Sequence, residues 1–557
     1  MRSDLVILGG GYPGSLMATV ASAMGYDVVL IDRDAQPRFS IGESTTPEQN
    51  TLHSEMAKRF NVPELANLGS YEQMRRGTRV PVWPKESFYF AQWDSPGQSA
   101  PNETLFQTTP WPIGPDYHCY RADYDLHILK TATARGVRLF APAVLEDLEL
   151  GEHGVSCTIV QDERRTALEA SLLIDATGFG SALANGWQTA TVNRSDVPLA
   201  SRSIFSHFLD VRSVEEAFGN AGLGSLPLSR NHATAHFLLD HGWFWSIPFD
   251  NGITSVGVTL DCARHPIHDS LTPKEEFYRY VETVPAMSRL LENASPLREF
   301  TRTGQIQFCL DKASGPGWVA LPPASGSVDP LMSPGNALVS KAVARLASLL
   351  PELLQTTNRE PLLEQFGCLQ RLEWSYTNRL QQSLYRSFSR SELFRPTFTL
   401  YQMASVLGAA TGLGREHYRS PFDVPIWSFD LPEIRDAVDR FDELLAPQGK
   451  DNAPPCDPAD LEQALIDADR HGYLTSPVNQ SGRPGIHLIN LGHARWISSL
   501  APAGRRPWRE TWWWRGISLV GKWVSRGRTA ASGGSRKTSP GVSWLRHLRI
   551  ILSTKAP

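Results

Sequence analysis

The sequence predicts an α/β protein with a Rossmann-like nucleotide-binding core, a second β-sheet layer and a helical C-terminal region. Three observations support this fold class: a strand, turn, helix and strand in the first 47 residues, alternating strands from about residue 201, and helical periodicity from residue 337 to about residue 445. The chain of 557 residues is also too long for one simple core, so two or three lobes are expected.

The first 47 residues have the order and spacing of a dinucleotide-binding βαβ unit. An apolar strand at Leu5–Leu8 leads into a GxGxxG turn formed by Gly9, Gly11 and Gly14, and a helix and a second strand follow. Asp32 ends the second strand eighteen residues after the last glycine, where a carboxylate accepts hydrogen bonds from a ribose. Glycine turns are common, but the flanking strands and the acid favour nucleotide binding over a purely structural turn.

The composition is that of an ordinary globular protein, with 41% apolar and 20% charged residues. The formal net charge is −4, yet the segment from Arg505 onward has twelve Lys or Arg and one acid, so this tail carries about +11 and the remainder about −15. Six cysteines without a CxxC pair argue against a disulfide framework or a metal site and favour a reducing cytoplasm. A strand that begins at Leu5 leaves no room for a signal peptide, and no apolar run reaches membrane-spanning length.

Three later segments are predicted to return to the nucleotide. Residues 120–132 have the periodicity of an amphipathic helix, and Arg121 at its start is predicted to contact the cofactor, with a plain surface charge as the alternative. A buried strand enters a tight turn that contains Asp175 and Gly178. Residues 315–335 combine a short strand with a loop rich in Pro, Gly and Ser.

The remaining segments alternate between strand and helix signals. Residues 137–174 predict a small antiparallel layer, and residues 201–308 predict a sheet over a substrate, interrupted by helices near residues 273–291. The four prolines in residues 446–458 indicate a linker. In the basic tail, tryptophans 508, 512, 513, 514 and 523 suit docking to an anionic membrane surface or an acidic partner, or packing back on the body. Nucleic acid is disfavoured because the body is acidic and lacks a recognition motif.

Residues 243–248, with the sequence WFWSIP, match the WxWxIP pattern of flavin-dependent halogenases. Residues 41–47 (IGESTTP) resemble the loop that follows the second strand in that family, and residues 329–335 (DPLMSPG) resemble its segment beside the flavin ring. Together with the βαβ unit, the resemblance covers about residues 1 to 340. Because Met332 stands where tryptophan halogenases carry a glutamate, the chain looks more like the branches that act on phenols, pyrroles or carrier-bound substrates.

The resemblance implies an FAD-binding domain of the flavin hydroxylase type. The implied division is residues 1–200 for the FAD-binding core with inserted segments, 201–310 for the substrate-covering sheet, 311–350 for the return to the FAD domain, 351–445 for a helical substrate region, 446–504 for a linker and helical segment, and 505–557 for the basic tail. The implied cofactor-binding residues are Gly9, Gly11, Gly14, Asp32, Glu43, Ser44, Arg121, Asp175, Gly178, Asp329 and Pro330.

The resemblance also implies a mechanism. Reduced FAD from a separate reductase reacts with O2 to a flavin hydroperoxide, chloride or bromide attacks it, and hypohalous acid travels to a lysine near the substrate. Lys85 is the candidate, since it precedes a strand of alternating apolar residues and a buried lysine loses proton affinity. The alternative for Lys85 is a surface lysine whose stem lies along aromatic rings. Trp243 and Trp245 would discourage direct oxygen transfer to the substrate.

Two departures from the family pattern concern the halide and the flavin. Ser333 and Gly335 are the implied halide-binding residues, acting through backbone N–H groups, but Pro334 between them has no N–H to donate. Residues 322–324 are Pro-Pro-Ala where related flavoproteins often have Gly-Asp-Ala, so the aspartate that holds the ribityl chain is missing.

The predicted function is FADH2- and O2-dependent chlorination or bromination of an electron-rich small or carrier-bound substrate of secondary metabolism. A second hypothesis is an FAD-dependent monooxygenase or dehydrogenase on the same scaffold without halide use, which Pro334 would suit. A third is a non-catalytic flavin-binding or docking protein. The chain shows no second GxGxxG unit, so an external reductase is favoured over a built-in nicotinamide site.

Overall fold

A computed structural model describes residues 1–93, 101–108, 115–152, 154–218, 229–356, 358–414, 425–446, 456–469 and 486–487, and the predicted basic tail lies outside them. The strands are β1 (Arg2–Leu8), β2 (Val28–Ile31), β3 (Val82–Lys85), β4 (Ser87–Gln92), β5 (Asn102–Gln107), β6 (Asp116–Cys119), β7 (Arg138–Phe140), β8 (Val144–Gly151), β9 (Gly154–Gln161), β10 (Arg164–Asp175), β11 (Val192–Asn193), β12 (Ser201–Leu209), β13 (Ala233–Leu239), β14 (Gly242–Pro248), β15 (Thr254–Asp261), β16 (Ser295–Pro296), β17 (Thr301–Arg302), β18 (Phe308–Leu310), β19 (Ser314–Gly315), β20 (Trp318–Ala320), β21 (Gly326–Ser327) and β22 (Ile486–His487). The α-helices are α1 (Tyr12–Ala23), α2 (Pro47–Arg59), α3 (Tyr71–Gly77), α4 (Arg121–Ala134), α5 (Ala182–Trp187), α6 (Val214–Phe218), α7 (Pro273–Thr283), α8 (Pro285–Leu290), α9 (Pro334–Gln355), α10 (Glu360–Arg386), α11 (Ser391–Gly414), α12 (Pro432–Leu445) and α13 (Pro458–Ala468).

The nucleotide-binding core is a sheet in the order β19-β20-β10-β1-β2-β7, with β8 and β9 attached beside β10. Strand β1 runs parallel to both β2 and β10, so Val6 lies opposite Val29 on one side and Leu173 on the other. The apolar run in β1 is buried because a parallel strand in this position is covered on both faces. The predicted βαβ unit and the α/β fold class are confirmed.

Strand β10 changes partners along its length. Its first half pairs antiparallel with β9, and its second half pairs in parallel with β1. This change joins the predicted antiparallel layer, β8 and β9, to the nucleotide-binding sheet. It also places Asp175 opposite Leu8 at the carboxyl edge of the sheet, where ligands bind in open α/β folds.

A second sheet of nine strands follows the order β16-β12-β15-β14-β13-β4-β5-β22, with β17 beside β12. Four of its long strands come from the predicted substrate-covering segment, but β4 and β5 come from an insertion within residues 1–200. Strand β13 pairs in parallel with β4, which brings the strand after Lys85 beside Thr234. The predicted helical insertion is confirmed as α7 and α8, and Thr272 and Glu275 form a capping box that starts α7.

The helices α9 to α13 form the region predicted to be helical. Aromatic side chains of α10 and α11 pack against the second sheet, as in the contact between Phe398 and Phe90 at a ring-centroid distance of 4.6 Å. Such packing is the ordinary use of aromatic residues in a core. In the described part of the chain, no helix combines the length and apolarity that crossing a bilayer requires.

Candidate active site

The glycine turn after β1 is built for close backbone approach. Gly9 has a φ of +99°, and a Cβ added there would lie 2.5 Å from the carbonyl oxygen of Ala176. A Cβ added to Gly14 would lie 1.9 Å from the carbonyl oxygen of Gly9. Glycine is therefore required at both positions for α1 to pack against the sheet edge.

The same turn leaves a cradle for an anion. A Cβ added to Gly11 would lie no closer than 3.8 Å to the side chains of Arg38 and Asp125 and 4.0 Å from that of Pro13, which is ordinary van der Waals distance. The first turn of α1 has no acidic residue, and the N–H groups at a helix start have no partner inside the helix. The residues present therefore fit the pyrophosphate of a dinucleotide such as FAD.

Asp32 lies buried behind this cradle. Its Oδ2 accepts a hydrogen bond from the backbone N–H of Gly10 at 2.6 Å, and its Oδ1 accepts one from Arg38 at 2.6 Å and one from the N–H of Asp34 at 3.0 Å. A carboxylate has about four acceptor positions, so Oδ2 keeps one for a ribose hydroxyl. Arg38 adds a positive charge beside the glycine turn.

The Asp175 turn is held by its own side chain. The carboxylate accepts two hydrogen bonds from Thr177, one from the hydroxyl of Ser181 and one from the N–H of Leu183. All acceptor positions of Asp175 are therefore used within the turn, and the residue shapes the turn rather than offering an oxygen to a ligand. Gly178 has a φ of +85°, and an added Cβ would meet nothing within 4 Å, so the turn surface is open there.

Arg121 is buried, with 5% of its surface exposed, so the surface-charge alternative is wrong. Its guanidinium forms two hydrogen bonds with Asp125, at 2.7 and 3.0 Å, and donates to the carbonyl oxygen of Ile41 at 2.6 Å. Asn336 at the start of α9 also donates a hydrogen bond to the segment after β2. Its side-chain nitrogen lies 2.7 Å from the carbonyl oxygen of Gly42. The segment after β2, the start of α4 and the start of α9 therefore meet at one place.

Lys85 ends β3 and has no exposed surface, so the surface-lysine alternative is wrong. Its amine donates to the carbonyl oxygen of Thr45 at 2.6 Å and to the hydroxyl of Ser44 at 3.0 Å. The amine also stands 3.9 Å from the centre of the Phe88 ring. Burial lowers the pKa of Lys85 to about 7, although the charge of Asp116 on the neighbouring strand raises it.

Trp243 and Trp245 project from the same face of β14, with ring centroids 5.8 Å apart, as the spacing predicts. The indole N–H of Trp243 donates to the hydroxyl of Tyr385 at 2.9 Å, and that of Trp245 donates to Ser255 at 3.1 Å. A Cβ added to Gly257 on the adjacent strand would lie 2.3 Å from the Trp245 ring. Both indoles are therefore fixed by hydrogen bonds and packing.

Asp329 begins the segment that leads into α9. Its carboxylate accepts hydrogen bonds from Tyr385 at 2.8 Å, from the N–H of Leu331 at 2.8 Å and from Ser201. Burial raises the pKa of Asp329 to about 6, although these hydrogen bonds lower it. Pro330 follows as a half-buried residue whose carbonyl oxygen accepts from Ser333.

The start of α9 is the predicted halide site. Ser333 has a φ of 57° and its backbone N–H donates to Pro330 at 3.0 Å, so that N–H is not available to a halide. Pro334 has none. Gly335 is exposed, an added Cβ would meet nothing within 4 Å, and its N–H lies in the first helical turn, which has no intrahelical acceptor.

Comparison with known proteins decides the family. Residues 71–394 match the family model described as tryptophan halogenase. The chain belongs to this halogenase family. It is 30% identical over 414 residues to tetracycline 7-halogenase of Kitasatospora aureofaciens, which covers 73% of this chain and 74% of that protein.

Other relatives and solved structures agree. The halogenase is 27% identical over 418 residues to monodechloroaminopyrrolnitrin halogenase PrnC of Pseudomonas fluorescens, over 73% of this chain and 71% of PrnC. The structure of halogenase PltM in complex with phloroglucinol and FAD superposes with a TM-score of 0.77 at 23% identity, over 85% of this chain and 98% of PltM. The protein is thus a member of the flavin-dependent halogenase family.

In this halogenase, the loop of residues 41–46 joins the predicted site residues. Gly42 contacts Arg121 and Asn336 on the side of the nucleotide cradle. Ser44 contacts Lys85 on the other side. Glu43 between them is buried and accepts a hydrogen bond from His207 at 2.7 Å. The two tryptophans and Asp329 form a separate group, linked through Tyr385.

Sequence reasoning missed several residues of the halogenase that touch predicted ones, among them Arg38, His118, Thr234, His207 and Asn336. Arg38 lies in a loop, where an arginine is usually solvated, but it stands directly before the loop that resembles the family. His118 and Thr234 come from strands that are far apart in the sequence and belong to two different sheets, so they meet only where those sheets come together. The alternation in β13 predicts one buried face, but it does not predict the partner that a buried hydroxyl will find.

Proposed function

We propose that this halogenase chlorinates or brominates an electron-rich aromatic substrate, free or attached to a carrier protein, through the amine of Lys85. The observation that supports the proposal is the complete burial of Lys85, with its amine bonded to the loop of residues 41–46 and placed over Phe88. When bound, reduced FAD delivered by a separate reductase supplies the chemistry that combines O2 and halide into hypohalous acid.

The chain positions the cofactor and the halide. Under this proposal the turn of Gly9, Gly11 and Gly14 holds the pyrophosphate, with Arg38 as a countercharge, while Asp32 accepts from the ribose. Arg121, Glu43 and Ser44 hold the loop of residues 41–46 against the cofactor. Asp329 and Pro330 contact the cofactor from the segment that leads into α9, and Asp175 with Gly178 shapes a third turn beside it. Gly335 donates its N–H to the halide at the positive end of α9, and Ser333 contributes its hydroxyl.

Lys85 then activates the halogen. With a pKa of about 7, a large fraction of the amine is uncharged near neutral pH, so its nitrogen lone pair is available to hypohalous acid. Trp243 and Trp245 keep water and substrate away from the flavin side, because their rings are buried and fixed.

The substrate class follows from the rings around Lys85. Phe88 lies under the amine, and Phe398 and Tyr401 of α11 pack against Phe88 at centroid distances of 5.5 and 6.3 Å. A flat aromatic ring suits such walls. Relatives include tetracycline 7-halogenase and a 1H-pyrrole-2-carbonyl-[peptidyl-carrier protein] chlorinase, which supports both free and carrier-bound substrates for this class.

The test supplies reduced FAD, O2, chloride or bromide, and phloroglucinol as the probe, and measures halogenated product by mass spectrometry. Lys85→Met is expected to abolish product while FAD binding and oxygen consumption persist. Lys58→Met, whose side chain is 76% exposed, is the matched control and is expected to leave product formation unchanged. Hydroxylated product without halogen in the unaltered protein would instead support the monooxygenase hypothesis.

A further inference from the structure

A hydrogen-bonded chain leads away from Lys85 into the protein. The amine of Lys85 donates to Ser44 Oγ at 3.0 Å, Ser44 Oγ lies 3.0 Å from Thr234 Oγ1, and Thr234 Oγ1 lies 2.9 Å from Nε2 of His118. The four residues come from β3, the loop of residues 41–46, β13 and β6. None of them has more than 5% of its surface exposed.

A relay that carries a proton away from Lys85 requires each hydrogen bond of this chain to be donated in the direction of His118. A lysine ammonium has only donors, so Ser44 accepts from Lys85, whereas either hydroxyl of the Ser44–Thr234 pair can donate to the other. A relay away from Lys85 requires Ser44 to donate to Thr234 and Thr234 to donate to an unprotonated Nε2 of His118. The ring proton of His118 then has to sit on Nδ1, and the Thr234–His118 contact of 2.9 Å is compatible with this tautomer. Burial and the charge of Lys85 keep the pKa of His118 well below its ordinary value, while the backbone of Pro248 raises it.

The proposed chemistry requires such a path. An amine attacks hypochlorous acid only when uncharged: the N–Cl bond forms, the O–Cl bond breaks, and the displaced amine hydrogen leaves with hydroxide as water. Transfer of chlorine to the substrate ring breaks the N–Cl bond, and the ring hydrogen goes to the nitrogen. An ammonium form of Lys85 must therefore first lose one proton, although Lys85 has no contact with bulk solvent.

Resting on the proposed function, we infer that Ser44, Thr234 and His118 are a proton relay that takes the proton from Lys85 before halogen transfer. One proton moves from the amine to Ser44, that of Ser44 to Thr234 and that of Thr234 to His118. Lys85 becomes neutral and His118 becomes an imidazolium, so the total charge is unchanged. Loss of the positive charge at Lys85 also removes the repulsion that opposes protonation of His118.

Two other titratable groups face Lys85. Asp116 lies opposite Lys85 in the β3–β6 pair and accepts a hydrogen bond from Asn50 at 2.9 Å. His236 on β13 stacks on Phe90 at a centroid distance of 4.5 Å and bonds to the carbonyl of Tyr89. His236 is as deeply buried as His118 but stands outside the chain of hydroxyls, which makes it a matched control.

The test compares pH profiles of phloroglucinol chlorination. Thr234→Val removes the middle hydroxyl and is expected to lower turnover at least about tenfold at pH 6, with the deficit shrinking above pH 8, where Lys85 is already neutral. His118→Gln is expected to behave in the same way. Thr234→Ser restores the hydroxyl and the unaltered profile, and His236→Gln keeps the shape of that profile.

If Thr234 had only a structural role, Thr234→Val would lower turnover by the same factor at every pH. That result would overturn the relay. A second measurement needs no turnover: nitrogen NMR of histidine-labelled protein is expected to show His118 as the Nδ1–H tautomer. An Nε2–H tautomer overturns the relay even if halogenation occurs. Absence of halogenated product from the unaltered protein, with the Nδ1–H tautomer present, would contradict the proposed function and leave the relay's geometry supported.

Discussion

At the residue scale, burial changes the chemistry of each ionisable group according to its partners. Lys85 has neutral partners within hydrogen-bond distance, so burial brings its pKa down to about 7. Asp329 accepts only from neutral donors, and burial raises its pKa to about 6. Arg121, by contrast, faces Asp125 and remains a cation that holds a loop in place. Burial therefore lowers the proton affinity of the lysine, whereas the arginine keeps its charge because a carboxylate faces it.

The absence of a side chain at Gly257 leaves the space that the indole ring of Trp245 occupies. Gly257→Ala would bring a methyl group within 2.3 Å of the indole and 2.6 Å of Phe205, so we expect a loss of about 2 kcal/mol in the free energy of unfolding, measured by urea titration. Gly304→Ala is the control, since nothing lies within 4 Å of its added methyl group. Equal stability of the two variants would contradict this account.

The site residues that could be predicted from the sequence are those that lie within a recognisable local motif. The glycine turn and Asp32 follow a local spacing, and Lys85 precedes a recognisable strand. His118 and Thr234 carry no such signal, because the hydrogen bond between them depends on how two sheets meet. Asp175 was predicted to bind the cofactor because it lies in a tight turn. Its carboxylate accepts its hydrogen bonds from groups of that same turn, which the sequence spacing does not reveal.

At the element scale, the start of α9 determines which backbone N–H groups the proposed halide site can offer. Its first residue is Pro334, which favours the start of a helix but removes one N–H from the proposed halide site. The sequence predicted the helix and this missing donor, whereas the loss of the Ser333 N–H to Pro330 depends on the turn geometry. Gly335 is left as the main backbone donor of the proposed site.

Pro334→Ala restores an N–H at the start of α9. We expect the KM for chloride to fall about tenfold, the equivalent of one added hydrogen bond to a charged group. Steady-state chlorination of phloroglucinol at varied chloride measures it. Pro432→Ala, at the first turn of α12, is the matched control and is expected to leave that KM unchanged. An unaltered KM in Pro334→Ala would place the halide elsewhere.

At the scale of the whole molecule, the sequence predicts both sheets and the helical region, but not the membership of every strand. Strands β4 and β5 lie within residues 1–200, which were predicted to be the FAD-binding core with inserted segments, and they pair into the second sheet. Pairing between β4 and β13 is parallel and spans more than a hundred residues of sequence, so no local pattern predicts it. That pairing is what brings Lys85 near Thr234.

Removal of the basic tail tests how much of the chain the chemistry needs. All residues that we place at the site lie between Gly9 and Tyr401, so a chain ending at Arg505 is expected to chlorinate phloroglucinol within about twofold of the full chain. The same truncation is expected to weaken binding to anionic vesicles if the tail docks to a membrane surface. Loss of phloroglucinol turnover on truncation would contradict the prediction that catalysis does not need the tail.

The residues around Lys85 come from two separate parts of the sequence, and this has a consequence for engineering. The lysine and its hydroxyl partners come from residues 44–234, whereas the outer aromatic wall, Phe398 and Tyr401, comes from α11. Under the proposed function, grafting the corresponding helix from another member of the family is expected to change substrate range and regiochemistry while Lys85 and its hydroxyl partners stay native.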